Sequence, residues 1–132
     1  MDKHKVQIKL IELFSRFDYH EDVLEEIEKL VIKPGKTKIF MNLFQKNIKM
    51  VEELGNDVIK TNNFEKLQGF PNLYSMKFIS PGMNLRILYS YDKVSSTIIL
   101  HCFYEKDDSG KASYNKHIPI ALKRREELEE KA

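Results

Sequence analysis

Three extended segments between residues 73 and 104 constrain this chain more than anything else in it. Leu73-Tyr74-Ser75-Met76-Lys77-Phe78-Ile79 alternates apolar and polar side chains, as a strand with one buried face does. Ser80-Pro81-Gly82-Met83-Asn84 supplies turn chemistry, and Leu85-Arg86-Ile87-Leu88-Tyr89-Ser90-Tyr91 alternates again. After a polar connection at 92–96, Thr97 to Tyr104 is an almost unbroken apolar run, the pattern of a strand covered on both faces. Strands that follow one another across short turns pair antiparallel, so this region forms a meander that the rest of the chain must cover.

The flanks supply the cover. Residues 6–14 open with Val6, Ile8 and Leu10 alternating against Gln7 and Lys9, which predicts a further half-buried strand, with a short helix as the competing reading. Asp18-Tyr19-His20-Glu21 has the spacing of a capping box ahead of Val23, Leu24, Ile27, Leu30 and Val31 at helical intervals. Pro34-Gly35 breaks that helix. A second one carries Ile39, Phe40, Leu43, Phe44, Ile48, Val51 and Leu54 on one face and stops at Gly55-Asn56, while Lys38, Lys46 and Lys49 read as a solvated face. So short a break predicts an antiparallel helical hairpin. From about Tyr114 to Lys131, Ile118, Ala121, Leu122, Arg125 and Leu128 at near-helical spacing predict a final helix, with Pro119 placed in its first turn. The order of strand, two helices, three strands and helix defines an α+β domain: a small antiparallel sheet packed against an N-terminal helical hairpin, with a C-terminal helix. At 132 residues the chain has room for one such domain, spanning 1–132.

Composition narrows the function. Lys and Arg number 22 against 20 Asp and Glu, a net charge of +2 that lacks the usual basic footprint of a nucleic-acid binder. The single Cys102 excludes an internal disulfide and a multi-cysteine zinc site, and its place in Ile98-Ile99-Leu100-His101-Cys102-Phe103 reads as core. No apolar stretch is long enough to span a membrane, and the start of the chain lacks the apolar segment of a secretory signal. The expectation is a cytoplasmic protein with no membrane association. There is no Gly-rich phosphate loop, nucleophile elbow or metal-ligand spacing, so no metal and no cofactor is expected.

The hairpin at 73–91 gives the first candidate site. With a loop at Pro81–Asn84, Ser80 pairs with Leu85 and Ile79 opposes Arg86. Met76, Phe78, Ile87 and Tyr89 then share an apolar face toward the helices, while Ser75, Lys77, Ile79, Arg86 and Leu88 share the other. Lys77 and Arg86 become diagonal neighbours able to converge on one anion, Arg through its planar fork and Lys as a point charge. The alternative is a sheet face carrying charge for solubility. His101 sits in an apolar run and reads as a hydrogen-bonded buried histidine, whereas His117, before or at the start of the last helix, is placed to reach a site on the sheet or to cap the helix.

At Phe64-Glu65-Lys66-Leu67, Pro71-Asn72-Leu73-Tyr74-Ser75-Met76-Lys77-Phe78 and Asn84-Leu85-Arg86-Ile87-Leu88-Tyr89 the chain resembles the RelE/HigB-type toxins of bacterial type II toxin–antitoxin modules. The Ile98–Phe103 strand, Lys106 and His117-Ile118…Ala121…Arg124 continue the pattern, so the resemblance covers roughly residues 64–128. It implies a metal-independent endoribonuclease that cleaves mRNA on the ribosome by attack of the ribose 2′-OH, and that is neutralised by a cognate antitoxin of helix-turn-helix type. Carried over by position, Arg86 and Lys77 bind the scissile phosphate together with Lys106. Tyr114 or His117 removes the 2′-OH proton, and the other, or Lys106, assists the leaving oxygen. Two departures stand out: Glu105 and Asp107-Asp108 surround Lys106 where the family often has bases, and Ser75 stands where some members carry lysine. Two other readings keep the fold: a gyrase-inhibiting toxin of the related ParE type, and an inactive module that only binds antitoxin.

Overall fold

The computed structural model describes residue 12 and residues 17–91, 97–105 and 110–131, the side chains at 56 and 110–112 excepted. The alternating window at 6–14 lies outside the described residues except for Glu12, which is helical. The chain runs through β1 (Asp18–Tyr19), α1 (Asp22–Ile27, continued by a π turn over Glu28–Ile32) and α2 (Thr37–Leu54). A 3-10 segment at Gly55–Lys60 leads into β2 (Phe64–Lys66), β3 (Tyr74–Ser80), β4 (Met83–Tyr91), β5 (Thr97–Tyr104) and α3 (Gly110–Lys131).

The meander forms as its alternation requires, and β2 and β1 extend it at either edge, giving the order β1-β5-β4-β3-β2. All pairings are antiparallel except β1 with β5, so the sheet is mixed rather than purely antiparallel. The parallel edge is short: Asp18 and Tyr19 pair with Ile98 and Ile99, and the His20 amide adds a bond to the Ile99 carbonyl. Asp18 therefore does not cap the first helix. Glu21 stands at the N-cap position without a side-chain cap, and the His20 Nδ1 accepts the Asp22 amide at 3.2 Å.

The hairpin register differs from the expected one by two residues. Ser80 pairs with Met83 and Lys77 pairs with Arg86 across a two-residue turn at Pro81-Gly82. Pro81 fixes φ at the first turn position, and Gly82 takes the left-handed conformation at φ +83° that the second position requires. A shift of two leaves each side chain on the face alternation assigned it. Met76, Phe78, Leu85, Ile87 and Tyr89 do pack with Val23, Ile27, Val31, Phe40, Phe44 and Ile48 of the two helices. The centre is aromatic, with Phe78 stacked on Phe40 at 4.8 Å and edge-on to Phe44 at 5.7 Å.

The other face of the sheet is covered by α3. Leu73, Leu88, Leu100 and Phe103 meet Ile118 and Ala121, with Leu122 and Leu128 packed alongside. This makes β5 an interior strand covered on both sides, and it buries Cys102 and His101 as their apolar surroundings predict. Burial pushes the Cys102 thiol well above its ordinary range, so it is a poor nucleophile. α3 begins four residues earlier than expected, which sets Pro119 in its interior rather than its first turn. Pro119 faces solvent, where water can serve the Asn115 carbonyl that it cannot bond.

One buried side chain fixes the strand that carries Lys77. Asn47 of α2 is fully buried and donates through Nδ2 to the Lys77 carbonyl at 3.1 Å, while the Lys77 amide bonds the Asn63 carbonyl at 2.8 Å. Asn47→Ala removes that donor and leaves a small void. The expected loss is about 1–2 kcal/mol of unfolding free energy in urea melts; an unchanged midpoint would show that Asn47 does not hold β3.

Candidate functional site

Both backbone groups of Lys77 point away from β4, so its pairing with Arg86 is of the non-hydrogen-bonded kind. Side chains come closest in such pairs, with Cα atoms about 4.5 Å apart. The two cations are direct cross-strand neighbours rather than diagonal ones. They line one cavity of about 430 Å³ together with Glu65, Glu105 and Tyr114, and its lining also includes the apolar Leu67, Phe70 and Ile118 and the amides of Gln68 and Asn115.

Each cation is met by a carboxylate. Arg86 is almost fully buried and forms an ion pair through Nη2 with Glu105, itself only 13% exposed. Nη1 donates to Asn84 Oδ1 at 2.9 Å and to the Leu85 carbonyl at 3.2 Å. Asn84 also ties down Glu105: its Nδ2 donates to the Glu105 carbonyl at 3.1 Å, and the Glu105 amide bonds the Asn84 carbonyl at 2.9 Å. Lys77 Nζ lies 3.7 Å from Glu65 Oε2 in a more solvated pair of small energetic weight.

Tyr114 reaches the cavity from α3. Its hydroxyl shares a 2.8 Å hydrogen bond with Ser75 Oγ, which is fully buried on β3. Burial raises the Tyr114 phenol; the Ser75 hydrogen bond and the Arg86 charge offset part of the rise, and Glu65 adds to it. At neutral pH the group is therefore a protonated donor. A lysine at position 75 would force a cation into this buried spot, which is the physical reason a small hydroxyl suits the site built here.

His117 does not line the cavity. It stacks on Phe103 at 4.2 Å, and its Nδ1 lies 2.7 Å from His101 Nε2. His101 Nδ1 in turn faces Glu26 Oε2 at 2.7 Å, and Arg124 Nη1 bonds Glu26 Oε1 at 2.8 Å and the Leu100 carbonyl at 3.1 Å. The Cys102 amide completes the set on Glu26 at 3.1 Å. These groups tie α1, β5 and α3 together. Burial by itself would raise the Glu26 carboxyl, but the bonds from His101 and Arg124 outweigh it and hold the group below its ordinary value near 4.5.

Arg86, Lys77 and Tyr114 are thus brought together, His117 is placed in a second cluster, and Lys106 lies outside the described residues. Sequence reasoning missed Glu65 as a partner, because a three-residue strand with two polar members gives almost no periodic signal. It also missed the platform formed by Leu67, Gln68 and Phe70, which nothing in their spacing announces. The sequence shows Glu105 as an acid beside Lys106 but not as the partner of Arg86, because the two lie far apart in the chain and meet only where β4 and β5 pair.

Among the described residues no group of three or more His, Cys, Asp or Glu side chains is arranged to hold a metal ion, and no helix is long and apolar enough to cross a membrane. No curated protein and no solved structure matches the chain. The phage-derived Gp49-like protein family (DUF891) does, over residues 36–126, a span that begins just before α2 and takes in all three meander strands, the cavity and most of α3. The chain therefore belongs to the Gp49-like family, a family of toxins from toxin–antitoxin modules.

Proposed function

We propose that this protein is the toxin of a RelE/HigB-like module and cleaves mRNA by attack of a ribose 2′-OH on the adjacent phosphodiester. The observation that carries this reading is the convergence of Arg86, Lys77 and Tyr114 on one cavity whose lining combines charged groups with apolar and amide side chains. A nucleotide offers the matching chemistry, an anionic phosphate and a flat, hydrogen-bonding base. The phosphate fits the guanidinium fork and the Lys77 ammonium, and the half-buried Phe70 offers a face on which a base can stack.

The proton roles follow from the surroundings. Arg86 and Lys77 neutralise charge that builds on the non-bridging oxygens. Tyr114, kept protonated by burial and oriented by Ser75, donates to the leaving 5′-oxygen. Glu65, the more solvated of the two carboxylates, is the group free to take the 2′-OH proton. His117, bonded to His101, is assigned to docking α3 rather than to the reaction. A cognate antitoxin is the expected protein partner, and ribosome-bound mRNA the expected substrate, since a chain of net charge +2 does not attract free RNA strongly.

Inducible expression in bacteria tests the reading. Wild type is expected to slow growth and to create new mRNA 5′ ends, and Tyr114→Phe to reduce the ends by about 10²-fold, the worth of one proton donor, while remaining folded. Arrest without new ends but with loss of negative supercoiling would replace this reading with gyrase inhibition. Neither arrest nor new ends would favour an inactive antitoxin-binding module, a reading that the carboxylate on Arg86 supports.

A further inference from the structure

We propose that Glu105 is a built-in competitor for the phosphate seat at Arg86, so that the cavity admits a phosphodiester only by displacing this chain's own carboxylate. The inference rests on the reading of the cavity as an RNA site. Three observations carry it.

The first is which edge of the guanidinium remains. Nη1 is committed to Asn84 Oδ1 and the Leu85 carbonyl, which leaves the Nε–Nη2 edge as the fork for an anion. Glu105 sits on Nη2, and Nε is buried without a hydrogen bond among the described residues. Carboxylate and phosphate compete for the same fork, and Glu105 fills only half of it. A phosphodiester taking both Nε and Nη2 satisfies a donor that the internal carboxylate leaves bare. That difference allows the exchange to happen at all.

The second is that Glu105 is held in place. Asn84 Nδ2 donates to the Glu105 carbonyl and the Glu105 amide donates to the Asn84 carbonyl, so the carboxylate competes at the high effective concentration of a tethered group. The third is the charge of the cavity. Arg86 and Lys77 are balanced by Glu105 and Glu65, so the cavity exerts little pull at long range. Anions arriving singly lose to Glu105. A strand that also gains contacts along Leu67 and Phe70, or that another particle holds in place, wins. Glu105 is in this sense a specificity residue, trading affinity for free RNA against selectivity for a presented strand.

The test measures binding of an uncleavable 2′-O-methyl tetranucleotide to the full chain. Glu105→Gln keeps the shape and a hydrogen-bond acceptor while removing the charge, and is expected to bind about tenfold tighter than wild type. Arg86→Ala combined with Glu105→Gln is expected to lose that gain. Glu65→Gln removes the same charge from the same rim and is expected to gain about threefold or less. Equal gains for Glu65→Gln and Glu105→Gln, a gain that survives without Arg86, or no gain at all would overturn the proposal. If Glu105→Gln fails to fold, wild type decides: the Arg86 Nε proton resonance should stay unmoved in millimolar inorganic phosphate, and movement there means that the seat is open. RNA cleavage by the same proteins separates the two readings. Tighter binding with no cleavage by any variant leaves the Glu105 proposal standing and removes the nuclease. Cleavage that disappears in Glu105→Gln with binding unchanged makes Glu105 a proton acceptor and removes the competitor.

Discussion

Glu26→Gln is expected to lower the unfolding free energy by about 3–5 kcal/mol at pH 7, the cost of stripping one partner from a buried charge network. Glu26 accepts from Arg124, His101 and the Cys102 amide, and these come from α3 and β5 while Glu26 itself sits on α1. Its loss leaves the Arg124 guanidinium with Asp22 at 3.8 Å as its remaining carboxylate. The pH dependence has a definite sign. Because the folded carboxyl lies below its ordinary value near 4.5, the stability it contributes is fully present above that pH and is lost as the pH falls through the folded value. The difference between wild type and Glu26→Gln should therefore be flat above about pH 5 and shrink toward acid. Urea melts at pH 7, 5, 4 and 3 measure it. A gap that stays constant down to pH 3 would mean that the network does not draw on the charge of Glu26. His20, bonded to Glu127 at 3.2 Å, pins the same helix independently and should be left intact.

The parts of this fold legible in the sequence are those governed by periodicity. Alternation in β3 and β4 assigned Met76, Phe78 and Ile87 to one face and Lys77 and Arg86 to the other, and the structure agrees although the register moved by two. The register itself depended on turn length, and Pro81-Gly82 closes a tighter turn than a count of polar and small residues reveals. The edge strands were invisible for a different reason. β1 and β2 have two and three residues, too few for a pattern, and exist only because their neighbours offer unpaired edges. The candidate site divides in the same way. Arg86, Lys77 and Tyr114 could be named from their positions, but the environment that gives them roles comes from Glu65, Ser75 and Glu105, whose contacts are set by strand pairing and by where α3 docks. His117 shows the converse. Its place in the sequence pointed toward the sheet, and it does reach the sheet, at His101 rather than at the cations.

Arg86→Ala should cost about as much stability as it costs function, and the two losses can be separated. Removing the guanidinium leaves Glu105 as a buried carboxylate without its cation, and such a break is expected to lower the unfolding free energy by about 3–5 kcal/mol. A silent Arg86→Ala protein is then ambiguous, because unfolding alone abolishes growth arrest. Arg86→Met combined with Glu105→Leu resolves this. Both new side chains are apolar and of similar length to those they replace, and both enter a site where the originals are largely buried. Replacing a buried ion pair by packed apolar groups is commonly neutral or stabilising. The double variant should therefore recover most of the stability lost by Arg86→Ala while making no new mRNA ends, since among the described residues that line the cavity Lys77 is then the one cation left to meet the phosphate. Melts beside 5′-end mapping measure both quantities on the same proteins. A double variant that folds like wild type and still cuts RNA would move the catalytic centre away from Arg86. One that stays as unstable as Arg86→Ala would show that the guanidinium holds the sheet through Asn84 and Leu85 rather than through its carboxylate.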